Sequence, residues 1–196
     1  MTTKRAIWLM CAAMVFSICS GPAKAQAMGS TPAAAGSSAS LTNDILMQWN
    51  RAGMLLEGMA KDFPDDKMDY RPTPAVRTFA EQILHAAVAS KVFADIAGGV
   101  MPKSFDEVEK PSRETYKTRA QIVDLIHKTF ADGAAAIQKY GDKGLLESVD
   151  SPFEKGKKVT RAWAFTFAIA HLYDHYGQCV VYYRINGLVP PDSRQQ

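Results

Sequence analysis

The chain has 196 residues, of which 47% are hydrophobic and 22% charged, and its 23 Lys+Arg against 20 Asp+Glu give a formal net charge of +3. Ordinary apolar content and only three cysteines, Cys11, Cys19 and Cys179, exclude a collagen-like, a disulfide-stapled and a wholly disordered chain. The length suits one globular domain with additional segments.

The first 25 residues predict a signal peptide. Lys4 and Arg5 make a basic start, residues 6–19 form an uncharged apolar run of 14, Gly21 and Pro22 interrupt it, and Ala23-Lys24-Ala25 offers a small-x-small cleavage site. As a helix such a run spans about 21 Å, short of the roughly 30 Å hydrocarbon core, which argues for a cleaved signal and against a membrane anchor. Ile18 is too large for the position before a lipid-bearing cysteine at Cys19. Cleavage would remove Lys4, Arg5 and Lys24 and no acid, leaving 20 basic against 20 acidic residues in a secreted or periplasmic protein with no membrane span. A chain without net charge has no field to attract phosphate, so no nucleic-acid partner is expected. Cys179 would stand alone, and stability must come from a packed core or a metal.

Residues 26–40, QAMGSTPAAAGSSAS, read as a flexible linker, which leaves 41–196 as the folded unit. Thr42 or Asn43 can cap a first helix over 43–62, whose apolar positions Ile45, Leu46, Trp49, Ala52, Leu55, Leu56 and Met59 step by three and four. After a loop with Pro72 and Pro74, Thr78-Phe79-Ala80-Glu81 is a capping box that opens a second helix ending at Gly98-Gly99. Its inward stripe is Phe79, Ile83, Ala86 or Ala87, and Phe93. Residues 101–110 read as a loop, and Pro111-Ser112 opens a third helix that runs to Gly141 with Tyr116, Ile122, Val123, Ile126, Phe130 and Ile137 on one side. Gly144, Pro152 and Gly156 interrupt residues 145–159, where flanking apolar pairs suit a short hairpin. A fourth helix starts near Thr160, presents Ala164, Ala168, His171, His175, Gln178 and Tyr182 inward, and ends at Asn186-Gly187. Four helices of this length in one domain imply an all-α four-helix bundle with an irregular or hairpin insert before the last helix.

The chemistry concentrates in four histidines, His85, His127, His171 and His175. His171 and His175 are four apart on one helix, so their imidazoles stack on one face at the spacing that lets two of them share a metal ion. A lone H-x-x-x-H is a weak signal, and a third ligand must come from another helix; His85 in the second helix is the candidate. Glu81, one turn earlier, either completes the capping box, the reading preferred here, or holds the other ring nitrogen of His85. His127 reads as a partly exposed or hydrogen-bonded histidine. Tyr173, Asp174 and Tyr176 flank the ligands, and Gln178 lies nearly above His175, placed to hydrogen-bond a ligand. The aromatic residues Trp49, Phe79, Phe93, Trp163 and Phe167 read as core packing. A Gly-rich phosphate loop, G-x-S-x-G, C-x-x-C, H-E-x-x-H and the Glu-x-x-His of di-iron bundles are all absent from the sequence.

The segment TFAEQILH at 78–85 and the segment HLYDHYGQ at 171–178, with its H-x-x-x-H-x-G-Q pattern, resemble the DinB/YfiT-like metalloenzyme family. Arg71-Pro72 resembles the approach to that family's second helix, and YRINGLVPP at 183–191 the end of its last. The resemblance spans 41–196. It implies an up-down-down-up bundle with a long crossover, a divalent ion such as zinc or nickel held by His85, His171 and His175, and a homodimer formed through bundle helices. Three neutral imidazoles leave one position for water or a small-molecule substrate, as in catalytic zinc sites. The resemblance further suggests a hydrolase, a thiol S-transferase that activates a low-molecular-weight thiol, or a metal-binding protein without turnover. Export counts against a cytosolic thiol and favours hydrolysis.

Overall fold

Ser40 begins the first helix: its hydroxyl accepts the Asn43 N–H at 3.1 Å, so α1 runs Leu41–Asp62 and ends where Phe63 turns extended before Pro64. Thr42, one of the expected caps, instead donates through its N–H and its hydroxyl to the Asp142 carboxylate at 2.8 and 2.5 Å. The computed structural model describes residues 39–109 and 113–194. The expected signal peptide lies outside them, as does the expected linker apart from its last two residues.

α2 spans Phe79–Ala97 with both halves of the expected capping box formed: Thr78 accepts the Glu81 N–H at 3.2 Å and Glu81 accepts the Thr78 N–H at 2.7 Å. Phe79, Ile83, Ala86, Ala87 and Phe93 are all buried. The following loop contains a single turn, α3, at Asp106–Glu109. Pro111-Ser112, the expected opening of the third long helix, lie outside the described residues; the helix opens at Thr118. A second capping box, Thr118 with Gln121, satisfies two end groups there, so α4 runs Arg119–Leu145 and Tyr116 precedes it. Gly141 does not end α4 but breaks it: φ is +60° at that glycine, and one more turn follows. The expected hairpin is present as β1 Ser148–Asp150 and β2 Lys158–Thr160, antiparallel with Val149 opposite Val159. Thr160 then caps α5, Arg161–Ile185, by accepting the Trp163 N–H at 3.0 Å.

α1 packs chiefly against α4, and α2 against α5. Thr42 meets Asp142 while Arg119 donates to the carbonyls of Ala60, Lys61 and Phe63, so α1 and α4 are antiparallel. Gln82 meets Gln178 while Arg161 donates to Ala97, so α2 and α5 are antiparallel too. Tyr183 donates to Met59 and Trp49 packs on Phe165, which makes α1 and α5 parallel. The result is the up-down-down-up order. Because α2 and α4 point the same way, a crossover rather than a tight turn joins them. Among the described residues no helix is long and apolar enough to cross a membrane.

The inward face of α5 is wider than expected. Ala164, Ala168, His175 and Tyr182 are buried and His171 is half-buried, but Gln178 is exposed, and a second buried row of Phe165, Ile169, Leu172, Cys179 and Tyr183 faces the core. A helix packed against both α2 and α1 buries two stripes rather than one.

Candidate metal centre

α2 and α5 are held antiparallel with small Ala86, Ala87, Ala164 and Ala168 buried at or near their contact. This pairing brings together the three predicted histidines: one ring nitrogen each from His85, His171 and His175 lies within 4.8 Å of the others. His85 and His175 are buried, and their ring centroids are 4.4 Å apart.

Each ring is oriented differently. Nδ1 of His85 lies 2.6 Å from the Val108 carbonyl, which can only accept, so the proton of His85 is on Nδ1 and Nε2 is bare. Val108 belongs to α3, so the crossover, and not Glu81, supplies the partner of His85; the Glu81 carboxylate stays with the helix cap. The Gln82 amide donates to Nδ1 of His175 at 2.6 Å and, through its other hydrogen, to Gln178 at 2.7 Å; Gln178 donates to Asp174 at 3.2 Å. This leaves the His175 proton on Nε2, 3.1 Å from Nε2 of His171. Nδ1 of His171 is buried and makes no hydrogen bond among the described residues.

Desolvation dominates the electrostatics. Burial lowers the pKa of His85, of His171 and of His175, the last pushed down from 6.5 to about 4 with further help from the fields of His171 and His85. All three are therefore neutral at pH 7, the form that ligates. The residues fit a divalent ion: two imidazole nitrogens on one tetrahedral ion with bonds of about 2.05 Å sit roughly 3.3 Å apart, close to the separation of His171 and His175. An all-nitrogen set suits zinc, nickel or copper better than magnesium or calcium.

His127 stands apart, exposed on α4 with Nδ1 3.9 Å from Glu57. Tyr176 lines a cleft with Arg51 and Asp192, away from the cluster. Trp49, Phe79 and Phe93 are core as expected, with Trp163 and Phe167 partly buried against it, and Phe93, Trp163 and Phe167 join Phe105 and Phe153 in a ring cluster that reaches the imidazoles, Phe167 stacking near His171 at 6.2 Å. Sequence reasoning missed Gln82 and Val108. A polar residue three before His85, amid buried neighbours, was the available signal for Gln82; a main-chain carbonyl leaves none.

The sequence profile of the DinB superfamily matches residues 48–179, a span that contains all three histidines. Among solved structures, a DinB-like protein of Bacillus cereus superposes with a TM-score of 0.62 at 21% identity, over 76% of this chain and 95% of that one. A DinB-like protein of Bacillus subtilis gives 0.57 at 19% identity, over 74% and 92%. No curated protein matches the chain.

Proposed function

The chain belongs to the DinB superfamily, and we propose that this member is exported, binds a divalent ion, zinc or nickel, through His85, His171 and His175, and hydrolyses a small-molecule substrate. One observation carries the reading: three neutral imidazoles from two antiparallel helices converge with their ligand nitrogens within 4.8 Å. Three protein ligands leave a position open, as catalytic rather than structural sites do. When bound, such an ion supplies Lewis-acid chemistry, lowering the pKa of a water and polarising a carbonyl or phosphoryl oxygen. The protein's own part is to hold the rings, Val108 fixing the tautomer of His85 that bares Nε2 and Gln82 contacting Nδ1 of His175, and to keep them buried and neutral. Export rests on the basic start, apolar run and small-x-small site of the first 25 residues. Pairing of two copies through bundle helices, and the absence of a nucleic-acid partner, complete the proposal.

Metal analysis tests it. Protein purified with metals available is expected to retain close to one equivalent after mild dialysis, and His171→Ala to lose most of it; retention below about a tenth of an equivalent by the parent chain ends the reading. Loaded protein is then screened on esters, amides, and electrophiles with glutathione. Ester or amide turnover abolished in His175→Ala supports hydrolysis, and glutathione-dependent turnover points to the thiol transferase. Turnover indifferent to His175 leaves storage or sensing of the ion.

A further inference from the structure

Beside the imidazoles lies a cavity of about 690 Å³ whose polar wall is Arg71, Arg77, Glu81, Gln82, Glu109 and Gln178. Only one residue separates it from the cluster, since Gln82 lines the cavity and touches Nδ1 of His175 at 2.6 Å. It is an open groove whose volume lies within the range of small-molecule sites.

Two arginines and two glutamates make the wall neutral, and each arginine is paired with one glutamate. The Glu81 oxygen accepts the Thr78 N–H at 2.7 Å, and Arg71 reaches that same oxygen only at 3.4 Å, beyond a normal hydrogen bond. An ion pair that loose, between side chains 43% and 31% exposed, is worth next to nothing. Glu109 is held by Arg77 through a single guanidinium nitrogen, Nη2, which shares itself between the carboxylate and the main-chain oxygen at 3.1 Å each. The wall carries no net charge, and Arg71 is the cation on it whose donors are least engaged, since its side chain makes only the 3.4 Å approach to Glu81. The fields of Arg77 and of its partner Glu109 reach His85 and His171 with opposite sign, so the pair sits close to the imidazoles. A planar guanidinium with free donors binds a carboxylate or phosphate through paired hydrogen bonds.

We propose that this cavity binds the anionic group, a carboxylate or a phosphate, of the ligand, with Arg71 as the principal donor and Arg77 beside it. The role of the ligand's other end rests on the metal-centre reading; the anion site rests on the arginines alone. The cavity is larger than either anion, so the group belongs to a larger organic molecule whose remainder extends along Pro74, Ala75 and Val76.

Calorimetric titration of the metal-loaded protein with inorganic phosphate and, separately, with succinate tests the site. At least one probe is expected to bind, and the tighter one identifies the ligand chemistry. Arg71→Ala is expected to weaken it about tenfold, with Arg71→Lys between the two because it keeps the charge and loses the fork. Arg71 is the position to change, because Arg77 also holds the main chain of Glu109. Metal content should be the same in all three proteins, and chelated parent protein should still bind the probe. Failure of both probes at about 50 mM, far weaker than the millimolar range of a single modest contact, overturns the proposal. So does equal binding by Arg71→Ala, or binding that disappears with the metal, which would put the anion on the ion. Loss of metal retention with anion binding intact would sink the metal-centre reading and leave this site standing.

Discussion

His175 is gripped from behind by an amide whose direction is not free. Asp174 can only accept, so Gln178 turns its nitrogen toward it and its oxygen toward Gln82, and Gln82 turns its nitrogen toward His175. A ligating Nε2 must be bare, with the proton on Nδ1 facing an acceptor, so ion uptake on the proposed reading requires both amides to rotate. Gln82→Glu, which presents only acceptors, is expected to tighten the ion, and Gln82→Leu to loosen it about 10- to 100-fold, as measured by competition with a chromophoric chelator. Equal affinity in all three proteins would show that Gln82 does not orient the ring. At this scale the sequence was most informative about ligands, because the i, i+4 spacing of His171 and His175 is itself geometry. It was least informative about what holds them: Gln82 is marked only by being polar among apolar neighbours one turn before His85, and the Val108 carbonyl belongs to no side-chain pattern at all.

Caps and close approaches decide where the elements lie. The Thr78 box was readable because Glu81 follows at the right interval, and Thr118 with Gln121 carries the same signature; Pro111 is the weaker start signal of the two, because a proline is compatible with a helix start without satisfying any end group. Between α1 and α4 the helices meet at glycine. A Cβ on Gly133 would lie 2.2 Å from Cζ2 of Trp49, whose indole N–H is fixed on the Phe130 carbonyl at 2.9 Å, so the ring cannot retreat. Gly133→Ala should therefore cost about 1–3 kcal/mol. On the same pair of helices, a Cβ on Gly58 meets nothing within 4 Å, and Gly58→Ala should stabilise by about 0.5–1 kcal/mol through helix propensity alone. Urea unfolding of the two variants separates the effects, and shifts of the same sign would defeat the packing account. Periodicity found these helices but not this intimacy, since it marks which face is apolar and not how near the neighbour comes.

For the molecule as a whole, the helix count and the hairpin followed from pattern, whereas the up-down-down-up order came only from resemblance, because nothing in apolar spacing says which helices are neighbours. The order matters for pH. Folding takes three imidazoles from an ordinary pKa of 6.5 to lower values, about 4 for His175, so below 6.5 the unfolded chain binds more protons than the folded one. Metal-stripped protein should keep its full stability above about pH 6.5 and lose it progressively as pH falls toward 4, a decline that melting temperatures should show and that His175→Ala should make shallower. The pairing of α2 with α5 has a consequence in time as well. Gln82 and His175 are 93 residues apart, and the last ligand lies in the final helix. A nascent chain therefore has no ion site until α5 has been synthesised and packed against α2, so on the proposed reading ion capture can only come at the end of folding and cannot guide its early steps.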